Sequence, residues 1–422
     1  MNDSFNPDFL CGLQRSGIVP GLERIRPLLE RLDNPQKKFR SVLIAGTNGK
    51  GSTAAFLESI LRCCGHRTGL FTSPHLVDMR ERIRIDGRPL EAERFLEYGL
   101  AVRRVLADCK GVDPTTYFET LTAIGFLAFA GEGVDVAVVE AGMGGRYDST
   151  NAMDADISVL TNVSLDHQRF LGDRIEDIAA EKIGVARPGR AFITGVGKGL
   201  FDSVVGPGIE DIGAFSRRMG RDFKVTRIDG AIDWQGLGMS LSDARLSLRG
   251  TFQADNAALA LAAAEAARDL GLKVDECGMR RGIRTTWWPG RFHVVAQNPR
   301  VIVDGCHNPG AAGRLVETLD AYPQPRPLVL VHSSRPLKDF SGVLARILPC
   351  VDHCIETTID GLAQTRELAR AARESAICDV EVIEPFAAAL DRARMVAGLE
   401  GTVLISGSLH LVGEALNELR VM

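Results

Sequence analysis

The sequence has few aromatic residues, no long apolar run and no excess of charge of one sign. Phe, Trp and Tyr make up 6% of its 422 residues. No apolar stretch approaches the ~18 residues that a membrane-spanning helix needs. Lys plus Arg total 50 against 54 Asp plus Glu, and the basic residues are scattered along the chain. These features argue against a nucleic-acid-binding protein and against a membrane protein.

Secretion signals and a disulfide framework are also lacking. The first residues contain neither a basic segment nor an apolar one, so we expect no signal peptide. The 9 cysteines are an odd number without regular spacing, which is typical of proteins in a reducing compartment. We therefore expect a cytoplasmic protein.

The order of predicted elements favours two domains. Short apolar runs such as Val42–Ala45 alternate with longer helical runs, which predicts an α/β fold with a mainly parallel, doubly wound sheet. Residues 196–250 are less regular and predict a small antiparallel addition. The pattern breaks near Trp287, and strands and helices then alternate again. We expect a larger N-terminal domain over residues 1–286 and a smaller, Rossmann-like α/β domain over residues 287–422.

The strongest local motif is a glycine-rich loop, Gly46–Ser52, between a predicted buried strand and a predicted helix. Backbone N–H groups of such a loop, together with the N-terminus of the helix, bind phosphate oxygens. Lys50 would neutralise phosphate charge, and the Ser52 hydroxyl would lie near a metal ion. Gly51 separates these two residues, unlike in the standard P-loop pattern. An ordinary glycine-rich turn is the alternative, and phosphate binding is the favoured prediction.

Polar residues follow several predicted strands at their carboxyl ends, which line the ligand crevice of an open parallel sheet. Glu140 ends one strand and His167 follows another, so they could bind the divalent cation of a nucleotide or be structural. Asp304 and His307 have the equivalent place in the second domain. There, a ligand contact and a helix cap beside a histidine are equally open.

Together, these motifs resemble the folylpolyglutamate synthase and dihydrofolate synthase family of the Mur-ligase superfamily. The resemblance covers nearly the whole chain, and its motifs follow one order: Gly21–Arg24, Gly46–Ser52, Thr72–Leu76, Tyr117–Glu119, Glu140–Asn151, Leu165–His167, Glu181–Gly184, Asp255–Asn256, Trp288–Arg291 and Asp304–Pro309. The ordered set is more specific than any single motif. Ser333–Asp339 departs from the Asp-Lys-Asp loop of the family and keeps only Lys338 and Asp339.

The resemblance implies a role for each matching residue and three cofactors, namely ATP, two Mg²⁺ ions and a monovalent cation. Lys50, Lys182 and His307 would be catalytic. The implied ATP contacts are Gly49, Lys50, Gly51, Ser52, Asn256, Arg291 and Asp304. The implied Mg²⁺ ligands are Ser73, Glu140, His167 and Lys182, the last as a lysine carbamate. The pterin-bearing substrate would lie near Val19, Pro20, Gly21, Thr116, Tyr117, Phe118, Glu119, Tyr147, Asp148 and Ser149.

The implied activity is an ATP-dependent ligation that adds L-glutamate to a pterin or folate carboxylate through an acyl phosphate. We expect a bifunctional enzyme that takes both dihydropteroate and a reduced folate. A monofunctional folylpolyglutamate synthase and another Mur-type amide ligase are the alternatives. The expected partners are these small molecules, with no nucleic acid and no membrane, and the expected state is a monomer.

Overall fold

The chain divides into two units, each with its own sheet and helices. The computed structural model describes residues 10, 13, 17, 19–108, 115–228, 230–335, 338–359, 365–374 and 378–421. The first unit comprises Met1–His75, Met79–Ser247 and Ala254–Thr286, and the second comprises Leu76–Asp78, Leu248–Gln253 and Trp287–Met422. Two short segments of the second unit therefore come from within residues 1–286. The residues used for the signal-peptide prediction, 1–4, and residues 336–337 of the atypical loop lie outside the described residues.

The first unit is built on a mainly parallel sheet. Its strands are β1 (Arg40–Ala45), β2 (Thr68–Phe71), β3 (Ile83–Ile85), β4 (Arg88–Pro89), β5 (Val136–Glu140), β6 (Ile157–Leu160), β7 (Ala191–Thr194), β8 (Phe215–Arg218), β9 (Lys224–Ile228), β10 (Ala231–Gln235) and β11 (Ser240–Arg245). The main sheet has 8 strands in the order β4-β3-β2-β5-β1-β6-β7-β8, and among these described strands only β3 runs antiparallel to its neighbours. Strands β9 to β11 form a separate antiparallel sheet, whose central strand, β10, was not predicted.

Helices cover this sheet and pack closely where small residues allow it. They are α1 (Ile25–Arg31), α2 (Lys50–Cys63), α3 (Ala92–Asp108), α4 (Tyr117–Gly131), α5 (Gln168–Leu171), α6 (Ile175–Lys182), α7 (Lys198–Leu200), α8 (Gly206–Ile212), α9 (Gln253–Asp269) and α10 (Glu276–Thr285). The hydroxyl of Ser59 in α2 donates to the carbonyl of Gly282 in α10 at 2.9 Å. A side chain at position 282 would lie 2.5 Å from the Cα of Ile60. Glycine therefore sets this helix contact.

The second unit contains a 6-stranded sheet with helices on both faces. Its strands are β12 (His293–Gln297), β13 (Arg300–Asp304), β14 (Leu328–His332), β15 (His353–Glu356), β16 (Asp379–Val382) and β17 (Thr402–Ser406), in the order β12-β13-β17-β14-β15-β16. Its helices are α11 (Pro309–Ala321), α12 (Phe340–Ile347), α13 (Thr365–Glu374), α14 (Phe386–Ala397) and α15 (Leu409–Glu418). Only β12 is antiparallel to its neighbour.

Alternation along these strands builds two apolar layers in the second unit. Leu330 and Leu404 pack with residues of α11 and α12, whereas Val331 and Ile405 pack with residues of α14 and α15. Side chains on successive strand residues point to opposite faces, so the middle residues of these central strands are apolar on both faces. The two mixed α/β units confirm the predicted fold class. Among the described residues, no helix is both long enough and apolar enough to cross a membrane.

Candidate active site

The glycine-rich loop Gly46–Ser52, called the phosphate loop below after its predicted role, connects β1 to α2. Glycine is required at two of its positions. Gly46 and Gly49 have φ angles of 148° and 84°, in the region that favours glycine. A side chain at position 46 would collide with Thr161, and one at position 49 would collide with Asn256. The backbone can therefore approach its neighbours closely, and Asn256 of α9 reaches the loop as the sequence motifs imply.

One strand-end segment, Thr161–Ser164 after β6, holds the loop in place. Asn162, which follows β6, accepts from the Asn48 amide at 3.0 Å and donates to the Asn48 carbonyl at 2.9 Å. The Thr161 hydroxyl donates to the same carbonyl at 2.7 Å, and the Thr47 hydroxyl donates to the carbonyl of Ser164 at 3.1 Å. The sequence motifs did not identify these residues as part of the site. The sequence signal that could have identified them is the polar run that begins at Thr161, directly after β6, a strand that neighbours β1.

Two lysines converge on one carbonyl of the loop. The Lys50 ammonium donates to the Gly46 carbonyl at 3.2 Å and to the Thr47 carbonyl at 3.1 Å. Lys182, the last residue of α6, is 3% exposed and donates to the same Gly46 carbonyl at 2.9 Å. Burial, and then the charge of Lys50, lowers the pKa of Lys182 from 10.5 to about 7. Near neutral pH, the Lys182 amine is therefore uncharged in a large fraction of the molecules.

Two of the residues predicted to bind metal are in contact. Glu140, at the end of β5, is 5% exposed and accepts from the backbone N–H of Ser73 at 3.1 Å. His167 begins the α5 turn with a φ of 52° and is exposed, with its Nε2 4.0 Å from Asp166 Oδ1. Among the residues that the structure describes, no group of three or more His, Cys, Asp or Glu side chains could hold a metal by itself. A cation here would need other oxygen ligands.

The residues predicted to bind pterin come together in the first unit. The Arg24 guanidinium donates to the carbonyl of Val19 at 2.6 Å and to the Glu119 carboxylate at 3.2 Å. The Gly21 amide donates to the carbonyl of Tyr147 at 3.0 Å. Glu119 also accepts from the Thr116 amide at 2.6 Å, which closes a capping box at the start of α4. The exposed Pro20 lies next to Gly21 in this segment.

Phe118 and Asp148 line the same region. A side chain on Gly142 would lie 2.6 Å from the Phe118 ring and 3.2 Å from the Asp148 carboxylate. Burial raises the pKa of Asp148, although this carboxylate accepts from the amides of Met143 and Thr150 at 2.8 and 3.0 Å. The two other predicted residues have polar or charged neighbours. The Tyr117 ring centroid is 5.7 Å from the Arg82 guanidinium, and the Ser149 hydroxyl is 2.9 Å from that of Thr122.

The remaining predicted residues lie in the second unit. Asp304 ends β13, His307 lies in the turn that follows, and Arg291 precedes β12. Asp304 is 4% exposed and accepts from the amides of Phe292 and Cys306 at 2.8 and 2.9 Å. Burial raises its pKa, and the neighbouring Arg291 opposes that effect. His307 Nδ1 lies 2.9 Å from the Gly305 carbonyl. Asn308 caps α11 through its side chain, so Asp304 and His307 do not cap this helix, and both instead contact backbone groups of the turn.

Two family models and a full-length relative match the chain. The Mur ligase middle domain matches residues 44–188, and the Mur ligase, glutamate ligase domain matches residues 290–409. The dihydrofolate synthase/folylpolyglutamate synthase of Bacillus subtilis is 31% identical over 431 residues, which is 98% of each chain. The chain belongs to the dihydrofolate synthase/folylpolyglutamate synthase family of Mur ligases. This confirms the family that the ordered motifs predicted.

Other members of this family differ in length or have been solved with ligands. A probable bifunctional folylpolyglutamate synthase/dihydropteroate synthase of Haloferax volcanii is 36% identical, and the chain spans only 49% of that relative. Escherichia coli FolC in complex with DHPP and ADP is 32% identical, with a TM-score of 0.89 and coverage of 98% and 96% of the two chains. The Yersinia pestis enzyme complexed with AMPPNP and a Mn ion is 30% identical, with a TM-score of 0.86 and coverage of 98% and 97%.

Proposed function

We propose that the protein is an ATP-dependent ligase that adds L-glutamate to a pterin or folate carboxylate. The observation that carries the proposal is the pair Lys50 and Lys182, whose amines meet at the carbonyl of Gly46 in the phosphate loop. Lys50 supplies positive charge for phosphate binding, whereas the largely uncharged amine of Lys182 beside the same loop is suited to carbamylation. Relatives solved with ADP, AMPPNP, a Mn ion and DHPP support a nucleotide, a metal ion and a further small molecule as ligands.

The proposed reaction proceeds by activation of the acceptor carboxylate. This carboxylate receives the γ-phosphoryl group and becomes an acyl phosphate, and ADP leaves. The amine of glutamate then attacks the acyl carbon, forms the amide, and displaces inorganic phosphate. The loop amides of Gly49, Gly51 and Ser52 and the charge of Lys50 stabilise the transferring group, which is chiefly an electrostatic task.

The residues present fit a magnesium site that substrate phosphates complete. Ser73 and Glu140 supply a hydroxyl and a buried carboxylate. Mg²⁺ prefers oxygen ligands and often binds through one or two carboxylates plus phosphates. We assign His167 and a carbamylated Lys182 to the same set, with two Mg²⁺ ions and a monovalent cation. The metal ions would neutralise phosphate charge, and the uncharged amine of Lys182 is the form that reacts with carbon dioxide.

We assign the remaining predicted residues either to the nucleotide or to the acceptor substrate. Asn256, Arg291 and Asp304 contact the nucleotide, and His307 is the catalytic residue of the second unit. The acceptor occupies the region of Val19–Gly21, Thr116–Glu119 and Tyr147–Ser149. Residues 1–286 then form the ATP-binding domain and residues 287–422 the ligase domain. We further propose a cytoplasmic monomer.

Incubation with labelled glutamate tests this function. Purified protein, ATP and Mg²⁺ are combined with labelled L-glutamate and either dihydropteroate or tetrahydrofolate, and the amide products are separated chromatographically. A bifunctional enzyme yields product with both acceptors, whereas a monofunctional folylpolyglutamate synthase yields product with tetrahydrofolate only. Absence of ATP-dependent product with either acceptor would refute the proposal. Lys198→Ala, which alters an exposed lysine that pairs with Asp202, should form the same products as the wild type.

A further inference from the structure

A row of polar side chains crosses the carboxyl edge of the sheet in the second unit. Asp304 of β13 is in register with Ser406 of β17, Ser406 with His332 of β14, and His332 with Glu356 of β15. Asp304 is 4% exposed and the other three are 0% exposed. Residues in register on parallel strands share a sheet face. These four residues, the polar row, therefore extend from the proposed nucleotide contact Asp304 into the interior.

The His332 ring is fixed on two sides. Its Nδ1 lies 2.9 Å from Glu356 Oε2, and a carboxylate in this position sets the orientation of an imidazole ring. The ring also packs against the backbone of Gly407, whose φ is 120°. A side chain at position 407 would lie 2.5 Å from His332 Cδ2 and 2.7 Å from Nε2. Glycine at this position lets the histidine touch the main chain directly.

Backbone hydrogen bonds continue from this contact to Asp304. The Gly407 amide donates to the carbonyl of Cys306 at 3.0 Å. The Cys306 amide in turn donates to the Asp304 carboxylate at 2.9 Å. Glu356, His332, Gly407 and Cys306 thus form one continuous series of contacts that ends on Asp304. A displacement of the imidazole ring would move the turn that orients this carboxylate.

Stability alone gives no reason for polar residues at this place. Among the described residues, His332 Nε2, Ser333 Oγ and Thr357 Oγ1 are buried without a hydrogen-bond partner. Buried polar atoms without partners destabilise a fold, and apolar side chains would fill the same volume without that cost. Neighbouring positions on this face are leucines, Leu330 and Leu404. The histidine is therefore better explained by an effect on the adjoining site.

We propose that His332, oriented by Glu356, is a positioning residue for the Asp304 turn and so for nucleotide binding. This inference rests on the proposed function, because it takes Asp304 as a nucleotide contact. A second histidine and glutamate pair in the same sheet supplies the control. His353 Nε2 lies 2.8 Å from Glu381 Oε1 at the amino end of β15, the opposite edge from the polar row. The control pair is more exposed, and its Glu381 also pairs with Arg392. It nevertheless serves as a control, because it is a histidine–glutamate pair of the same sheet that does not adjoin Asp304.

The test compares His332→Leu with His353→Leu. Calorimetry gives the dissociation constant of ADP with Mg²⁺, the ligation assay gives KM for ATP and for glutamate, and thermal unfolding reports the fold. We expect His332→Leu to weaken ADP binding and raise KM for ATP by about tenfold, the scale of one lost hydrogen bond. KM for glutamate should stay within about twofold of wild type. His353→Leu should change neither nucleotide constant.

Glu356 supplies a second pair of variants in case His332→Leu does not fold. Glu356→Gln keeps an acceptor for Nδ1 and should retain ADP binding, whereas Glu356→Leu should weaken it. Normal ADP binding by folded His332→Leu and Glu356→Leu, or equal losses in His353→Leu, would overturn the inference. Failure of the wild-type protein to ligate glutamate while binding ADP would refute the proposed function only. Failure of the wild type to bind ADP would refute both.

Discussion

Replacing Lys182 with alanine should stop ligation without unfolding the protein. The reason is the proportion of uncharged amine at this position, since only the neutral form reacts with carbon dioxide. A lysine with the ordinary pKa of 10.5 is only about one part in a thousand neutral at pH 7.5. With its pKa lowered to about 7, Lys182 is about three quarters neutral at the same pH. The site therefore raises the fraction of Lys182 that is neutral, and so able to react with carbon dioxide, by roughly several hundredfold.

The expected loss in kcat for Lys182→Ala is about 10²- to 10³-fold, the range seen when one electrostatic contact to a transition state is removed. Short carboxylic acids should partly restore activity, because they return anionic oxygens that could bind the magnesium ion in place of the carbamate. Lys198→Ala should be fully active, since that side chain is 77% exposed.

Carbon-13 NMR after incubation with labelled bicarbonate measures the modification itself. A carbamate carbonyl signal should appear in the wild-type protein and be absent from Lys182→Ala. Full activity of a folded Lys182→Ala variant, or a wild-type spectrum without this signal under conditions that support turnover, would refute the reasoning.

Four further predictions follow from the same geometry. Lys50→Ala should keep its fold by circular dichroism and lose about 10²- to 10³-fold in kcat; near-normal turnover would contradict its assignment to phosphate binding. Both dihydropteroate and tetrahydrofolate should accept glutamate, and product from tetrahydrofolate alone would mean a monofunctional enzyme. Gly49→Ala should raise KM for ATP, because the new methyl group would collide with Asn256 at a φ of 84°; an unchanged KM would show that the loop can adapt. Folding lowers the pKa of Lys182 from 10.5 to about 7, so the unfolded state binds more protons than the folded state between these pH values. The free energy of unfolding should therefore fall as the pH is lowered through this window. Denaturant titrations in buffers free of bicarbonate and carbon dioxide, which keep the Lys182 amine unmodified, should show that Lys182→Met lacks this contribution. Identical pH dependences for the two proteins would contradict the assigned pKa.

Local sequence patterns predicted the framework of the fold. The apolar run Val42–Ala45 predicted the buried part of β1, because a strand buried on both faces consists mainly of apolar residues. By contrast, β10 was missed. In β10, the buried Ile232 and Trp234 flank the half-buried Asp233, and the register of pairing with β11 shifts between Ile232 and Trp234. The alternation of apolar and polar residues is therefore short and interrupted. The edge strand β12, which is only half-buried, was also missed.

Sequence alone could not predict the environment of the key residues. Lys182 ends an ordinary short helix, and lysines are exposed by default; its burial comes from contact with Gly46, which is 136 residues away. The Asn162 contacts to the phosphate loop likewise join segments 114 residues apart. The polar row depends on register across four strands, which no local pattern specifies. The family resemblance therefore supplied roles for single residues, and the three-dimensional structure supplied their neighbours.

Transfer of oxygen from the acceptor carboxylate to phosphate tests the proposed reaction most directly. The acceptor is prepared with ¹⁸O in both carboxylate oxygens and incubated with the protein, ATP, Mg²⁺ and L-glutamate, and the released phosphate is analysed by mass spectrometry. An acyl phosphate intermediate predicts one ¹⁸O atom in each inorganic phosphate, one in the amide product, and none in ADP. Unlabelled phosphate accompanying amide formation, or ¹⁸O recovered in AMP, would contradict the account.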